Sequence, residues 1–242
     1  MAKETRPLQN QTALITGASR GIGLAIARAF AEQGCNLILT ARSEKSLKAA
    51  STEVLDRKTR TLVHRCDVRD PHSVDDLFRN VRREFSRLDI LINNAGIAHP
   101  NLPIDRLPFP TWKEVFATNV DGMFLATQAA LGMMRSGATI VNNLSIAATR
   151  VFPGSAAYNA SKHAALGFTN TLREELRPRG IRVIGTQAGA TDTQMWKTLW
   201  PQAPRRKMMS PNTVAEAVLR AVMLPPNTTV ETIEILPSVG TL

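Results

Sequence analysis

Tyr158 and Lys162 stand four residues apart in a stretch with helical pattern, so their side chains share one face near the start of a helix predicted over Ala156–Leu176. A phenol beside an ammonium can hand a proton to an oxyanion. A carbonyl needs that when hydride reaches its carbon, because the alkoxide left behind must be protonated. A free phenol has a pKa of about 10, too high for easy proton traffic near neutrality. The ammonium and the positive end of the helix both favour the phenolate, so both are expected to lower the pKa of Tyr158. Ser145 lies thirteen residues earlier, at the end of a predicted strand. Its hydroxyl can bond a substrate oxygen as charge develops there, although a plain strand-end turn residue would look the same. Tyr158 is the only tyrosine in the chain.

These groups need a scaffold, and the flanking pattern supplies one. Apolar strand-like runs alternate with helical segments, which predicts βαβ units and a parallel sheet. The predicted strands are Thr12–Thr16, Asn36–Thr40, Thr61–Cys66, Ile90–Asn93, Ala138–Asn143, Ile181–Thr186 and Thr229–Leu236. Helices are expected at about Gly21–Gln33, Glu44–Arg57, Val74–Phe85, Trp112–Met134, Ala156–Leu176 and Pro211–Met223. No linker or repeat divides the chain. The expectation is one α/β domain over residues 1–242, a Rossmann-like, doubly wound, seven-stranded parallel sheet with helices on both faces. Its ligand should lie at the carboxyl ends of the strands.

Between the first strand and its helix stands the octet from Thr16 to Gly23, with Gly17, Gly21 and Gly23. Gly17 permits a tight bend, Gly21 lets backbone approach a pyrophosphate, and Gly23 lets helix and strand pack closely. The helix start that follows offers free N–H groups and a positive dipole end to phosphates. Ser19, Arg20 and Ile22 complete the turn. The spacing Gly-x-x-x-Gly-x-Gly differs from Gly-x-Gly-x-x-Gly. With Asn93 to Gly96, Asn119, Ser145, Tyr158-x-x-x-Lys162 and the Gly189 loop following in order, the chain resembles the short-chain dehydrogenase/reductase family from about Asn10 to Ser238.

The resemblance implies an NADP(H)-dependent oxidoreductase acting on a carbonyl or alcohol. It gives Lys162 a bond to the nicotinamide ribose. It gives Asn119 a place where helix bonding is interrupted, although a plain polar helix residue is the alternative. Asp67 would meet the adenine amino group, with Val68 contributing backbone, and Asn94, Ala95 and Gly96 would let a ribose lie against the chain. Gly189 would contact nicotinamide through its backbone, with Thr193 and, less centrally, Thr191 nearby. Relatives usually carry proline before that glycine. Here Ala188 frees φ and restores an N–H. After the second strand comes Thr40-Ala-Arg-Ser43 with no carboxylate. Arg42, beside Ser43, can bond a 2′-phosphate as Arg20 can, or both arginines are simply solvated. NADP(H) is therefore expected over NAD(H).

Residues 190–210 are expected to form a substrate lid. Met195, Trp196, Leu199 and Trp200 make one apolar helical face that either covers an apolar or aromatic substrate or packs on the body. Ile146, Phe152 and His99 are expected to flank the same pocket. No fixed charge is evident there, although Lys197 or Arg205 could swing in, so a neutral ketone or aldehyde is favoured. Two rivals stand: a 3-oxoacyl-carrier-protein reductase using a basic rim near Arg150 or Arg205, and a regulator that senses NADP(H) without turnover.

The net charge of +10 is spread out, with Arg205 to Lys207 the densest run and no aromatic-and-basic motif beside it. That suits an anionic small ligand or solubility better than nucleic acid. His64, His72, His99 and His163 lack ligand spacing, so no metal is expected. The polar start from Met1 to Pro7 lacks a leader's apolar core, and no run reaches the roughly 18 apolar residues of a membrane span. Cys35 and Cys66 form no C-x-x-C pair and read as reduced, buried thiols in a cytoplasmic protein. Small residues such as Ala126, Ala130, Ala164 and Ala165 on two long helices suit close packing between subunits, and the resemblance implies a homo-oligomer, tetramer or dimer.

Overall fold

The computed structural model describes residues 6–54 and 59–241. The polar start before Arg6 and the expected end of the second helix at Arg57 lie outside the described residues. Seven strands form one parallel sheet: β1 (Thr12–Thr16), β2 (Asn36–Ala41), β3 (Thr61–Arg65), β4 (Ile90–Asn93), β5 (Thr139–Asn143), β6 (Arg182–Ala188) and β7 (Thr232–Ile235). Their spatial order is β3-β2-β1-β4-β5-β6-β7. The chain therefore reverses its direction of winding between β1 and β4, and a crevice opens there at the carboxyl ends.

The strand sequences explain why both faces are covered. Ile15, Leu37, Leu39, Ile92, Val141 and Ile184 point into one core. Leu14, Ile38, Leu91, Ile140 and Val183, the alternate positions, point into the other. The first core is closed by α1 (Gly21–Glu32), α2 (Glu44–Thr52) and α8 (Pro211–Val222) through residues such as Phe30, Leu47 and Val218. The second is closed by α3 (Pro71–Glu84), α5 (Gly122–Leu131) and α6 (Ala156–Leu176) through Phe78, Ala130 and Leu172. α4 (Phe109–Phe116) leads into α5, and α7 (Trp196–Leu199) is a single turn beyond β6.

Local chemistry sets several boundaries. Asp70 accepts a hydrogen bond from the His72 N–H, and Pro71 occupies the first turn, so α3 starts three residues before the apolar pattern predicts. The long helix expected over Trp112–Met134 is instead α4, a π-turn at Ala117–Asp121, and α5. β6 runs two residues beyond the expected Thr186 and pairs Ala188 with Ile235. The bond that holds this pair is donated by the Gly189 N–H to the Ile235 carbonyl at 2.8 Å and does not use the amide of residue 188. At the sheet centre Asn93 donates to Asn142 Oδ1 and Thr127 Oγ1, both at 2.9 Å, and Asn142 donates to Thr169 Oγ1 at 2.9 Å. This buried amide chain fixes α5 and α6, the helices beside the chemistry, against β4 and β5. Among the described residues, no helix is long and apolar enough to cross a membrane, and no three potential metal-ligating side chains come together.

Candidate active site

A cavity of about 750 Å³ runs along the carboxyl ends of β1, β2, β4, β5 and β6. Every residue singled out above for catalysis, cofactor or substrate lines it, with the exceptions of Gly23, Asn119 and His99 and of the basic residues Arg150, Lys197 and Arg205.

At one end the turn after β1 is laced to the turn after β4. The Thr16 hydroxyl oxygen accepts from the N–H groups of Asn94 and Ala95, each at 3.0 Å. The Asn94 amide donates to the carbonyls of Thr16 at 2.9 Å and Gly17 at 3.2 Å. Gly17 has φ of +66°, and a Cβ there would sit 2.9 Å from Ala95 Cα. Gly23 does not face the cavity. A Cβ on it would strike the Asn94 amide and lie 2.6 Å from the Gly17 carbonyl oxygen, so it serves packing and not ligand contact. No side chain caps α1, and its first turn holds no acidic residue. Its free N–H groups open into a glycine cradle, which fits a diphosphate.

Arg20, Arg42 and Ser43 line this end, and both arginines already have partners. Arg20 donates to Gln194 Oε1 at 2.8 Å. Arg42 lies 4.0 Å from Glu114 Oε1. Asp67, expected to meet an adenine amino group, lines the cavity with its carboxylate held by the guanidinium two residues on: Arg69 donates to Asp67 Oδ2 at 2.6 Å and to Glu114 Oε1 at 3.1 Å. Arg69 holds the Asp67 carboxyl below the usual carboxylate range. Neither Arg69 nor Glu114 stood out in the sequence, since ordinary charged residues on α3's lead-in and on α4 carry no spacing signal.

At the other end Ser145 takes φ of +149°, a region that non-glycine residues rarely occupy and that costs about 1–3 kcal/mol. The strain is held by the Thr186 carbonyl, which accepts from Leu144 N–H at 2.9 Å, and by the Ser145 carbonyl, which accepts from Ala148 N–H at 3.0 Å. The result is a hydroxyl that accepts from the Ala147 N–H at 3.1 Å and lies near enough to the Tyr158 phenol to act on its pKa. Tyr158 and Lys162 do share one face of α6, but the expected acidic phenol is overturned. Burial pushes Tyr158 above its ordinary value, the Ser145 contact opposes this, and the ammonium is not a cause. The reason is geometric. Lys162 Nζ donates to the Asn143 carbonyl at 2.9 Å and lies 5.7 Å from the centre of the tyrosine ring. Burial lowers Lys162 to about 8.

Asn119 sits in the π-turn, as the expected interruption requires, yet its side chain is taken up elsewhere. Its Oδ1 accepts from Ile97 N–H at 2.8 Å, and its amide donates to the Ile97 carbonyl and Ser161 Oγ, both at 3.0 Å. It therefore locks α6 to the loop after β4 without facing the cavity. His99 is buried beside that loop, with Nδ1 2.8 Å from the Pro100 carbonyl oxygen, and does not flank the pocket as expected. Asn143 lines the cavity unforeseen. Its amide donates to Asn94 Oδ1 at 2.9 Å, joining the lysine's anchor to the glycine turn. The one available signal was its place two residues before Ser145.

Beyond Ser145 the lining turns apolar, with Ile146, Phe152, Met195, Trp196 and Leu199. Gly189 is tied by its N–H to the Ile235 carbonyl at 2.8 Å, so the loop is held without the proline. Met209 N–H donates to the Ala190 carbonyl at 3.0 Å and Asp192 N–H to the Met209 carbonyl at 2.8 Å, closing the neck of the following segment. Thr193 packs beside Gly21, with its Cγ2 3.3 Å from where a Cβ would be.

Comparison with known proteins agrees with this geometry. The short chain dehydrogenase family matches residues 11–204. Sulfoacetaldehyde reductase 2 of Chromohalobacter salexigens is 34% identical over 236 residues, 93% of each chain. The 3-oxoacyl-[acyl-carrier-protein] reductase of Vibrio cholerae is 34% identical over 221 residues, 87% of this chain and 89% of its own. An alcohol dehydrogenase from the archaeon Thermococcus sibiricus, solved with 5-hydroxy-NADP, superposes with a TM-score of 0.88 at 28% identity, covering 96% of this chain and 98% of that one. With its strand order, its glycine turn and these relatives along most of its length, the chain belongs to the short-chain dehydrogenase/reductase family.

Proposed function

We propose that this protein is an NADP(H)-dependent oxidoreductase that moves hydride between nicotinamide and a carbonyl or alcohol, in the direction of reducing a neutral ketone or aldehyde. The observation that carries the reading is one continuous cavity with an uncapped helix start and glycine cradle at one end and Ser145, Tyr158 and Lys162 at the other. Bound NADPH supplies the hydride. Ser145 positions the carbonyl oxygen, and Tyr158 gives it a proton as negative charge grows there. Burial leaves Tyr158 protonated but a weaker acid, so transfer rests on the growing alkoxide being a stronger base than the phenolate. Lys162, anchored on Asn143, stands where its ammonium can meet a ribose hydroxyl, and Asn119 holds α6 at the right depth.

Arg42, Ser43 and Arg20, with no carboxylate at the end of β2, favour a 2′-phosphate over a bare ribose. Gly17, Ser19, Gly21 and Ile22 would hold the diphosphate. Val68, Asn94, Ala95 and Gly96 would hold the adenosine side, and Gly189, Thr191 and Thr193 the nicotinamide. Residues 190–210 act as the lid of a single domain. The Thermococcus sibiricus alcohol dehydrogenase, solved with 5-hydroxy-NADP, supports the cofactor assignment. Carrier-protein substrates, reduced by the Vibrio relative, fit less well, because the two arginines expected at the rim are paired: Arg150 with Glu234 at 2.7 Å and Arg205 with Asp192. Free, buried thiols at Cys35 and Cys66 suit a cytoplasmic enzyme. Half-exposed Phe124, 6.1 Å from Phe168 on the next helix, suits a homo-oligomeric contact.

Fluorescence titration with NADPH and NADH followed by a carbonyl panel tests the reading. Tighter NADPH binding and reduction of free ketones are expected. Tight NADPH binding with no turnover on any carbonyl or alcohol would favour the sensing rival.

A further inference from the structure

Resting on that reading of the site, the far end of the cavity carries a finer message about its substrate. Three stretches of chain wall it: the loop after β4 with Ile97 and Ala98, the segment before α6 with Phe152, and α7 with its flanks. Trp196 donates its indole N–H to the Thr191 carbonyl at 2.8 Å. That bond fixes the ring and uses its only donor. Trp200 follows one turn later, its ring centre 6.4 Å from that of Trp196 and tilted by 59°. It lines the cavity while remaining 40% exposed. Two indoles from one turn thus present aromatic surface to the cavity, one of them locked.

The walls are stitched together by two residues. Asn101 N–H donates to the Leu199 carbonyl at 3.3 Å, and Leu102 N–H donates to the Gly154 carbonyl at 2.9 Å. Ser155 Oγ donates to Asn101 Oδ1 at 2.9 Å. Gly154 has φ of +81°, and a Cβ on it would lie 2.9 Å from Asn101 Oδ1, so the latch requires glycine there. Asn101 therefore ties the tryptophan turn on one side to the Phe152 segment on the other.

Among the described residues, the walls of this end (Ile97, Ala98, Phe152, Trp196, Leu199 and Trp200) carry no charge. Arg150 and Arg205 are engaged by Glu234 and Asp192, and Arg20 by Gln194. Lys197, on α7, is exposed and does not line the cavity. A carboxylate or sulfonate entering this end would lose its hydration without a partner. A flat apolar group would gain contact with the indoles.

We propose that this end of the cavity is an aromatic clamp, formed by Trp196 and Trp200 with Phe152, that takes the aryl group of an uncharged aryl ketone or aldehyde, and that Asn101 is the positioning residue that sets its width. The carbonyl gains hydride at carbon and the Tyr158 proton at oxygen, as in the general reaction. The clamp decides which carbonyl compound is held there.

The test is kcat/KM of the full chain with NADPH on three matched compounds: phenyl methyl ketone, cyclohexyl methyl ketone and 4-acetylbenzoate. Aromatic contact is worth about 0.5–1.5 kcal/mol beyond area, so phenyl should exceed cyclohexyl by roughly 2- to 10-fold. The benzoate should be the poorest of the three. Trp200→Ala should collapse the phenyl-to-cyclohexyl ratio to near one, and Trp200→Phe should restore most of it, which separates a lost clamp from a damaged fold. Asn101→Ala should raise KM for phenyl methyl ketone more than it lowers kcat. Without NADPH, phenyl methyl ketone should quench tryptophan emission in the unaltered protein and less in Trp200→Ala. Equal kcat/KM on all three ketones, or preference for the benzoate, overturns the clamp alone. Failure to bind NADPH or reduce any carbonyl overturns the oxidoreductase reading beneath it.

Discussion

Two ends of one cavity are held by different forces. Around Lys162 the contacts are hydrogen bonds of buried or half-buried groups: Lys162 on the Asn143 carbonyl, Asn143 on Asn94, Asn119 on Ile97 and Ser161. Around Arg42 they are ion pairs running Asp67–Arg69–Glu114–Arg42, with Arg42 and Glu114 each half exposed. Buried bonds of this kind fix geometry and ignore salt. Exposed ion pairs are each worth about 0–1 kcal/mol, are screened, and exchange partners readily. The chemical end is therefore set before any ligand arrives. On the proposed reading the selecting end works by exchange: Arg42 would turn from its 4.0 Å contact with Glu114 to a phosphate.

The sharpest break of this contrast is Tyr158→Phe. Loss of the proton donor should lower kcat on the order of 1,000-fold, while NADPH affinity by fluorescence titration stays nearly unchanged. A variant with full activity would remove Tyr158 from the mechanism. At the opposite end, Arg42→Ala removes a charge-assisted bond. NADPH should bind roughly 10- to 100-fold more weakly and NADH about as before, and the NADPH loss should shrink at high salt. Equal weakening of both nucleotides would mean that Arg42 does not read the phosphate.

Gly23→Ala sharpens the point that this glycine packs and does not bind. The new methyl would strike Asn94 and lie 2.6 Å from the Gly17 carbonyl oxygen. Overpacking of about 1–3 kcal/mol is expected, read as a lower Tm even without nucleotide.

Lys162 predicts a pH effect. Burial lowers it to about 8 against an ordinary 10.5. Between those values the unfolded chain holds the proton that the folded chain releases, so stability should rise with pH across that window. Denaturation midpoints at both ends of the window should show the rise in the unaltered protein and lose that increment in Lys162→Met. The smallest effect is Glu114→Gln. Freed of its carboxylate, Arg42 should bind NADPH about 2- to 5-fold more tightly, with NADH unmoved in the same titration.

The strands and most helices were legible because their signals are local. Apolar runs mark the strands that carry Ile15, Leu37 and Ile92, whereas the cap at Asp70 and Pro71 started α3 earlier than the apolar pattern indicated. Tyr158, Lys162 and Ser145 were legible through type and spacing. What escaped is what a residue meets across the fold. Asp67 was readable as a carboxylate beside the cavity, but its capture by Arg69 and the link onward to Glu114, which comes from α4, depend on how the chain packs. The pKa of Tyr158 was misjudged for the same reason, since helical spacing brings Lys162 near but cannot say that its amine turns to Asn143.

By itself the sequence determined the order of elements, the glycine turn and the residue types that can move a proton, because these rest on backbone sterics and short-range periodicity. Only the tertiary structure decided which polar groups are free. Burial and long-range pairing assign each donor and charge a partner, and those partners come from segments far apart along the chain, as Asn101 does for Leu199 and Asn143 for Asn94.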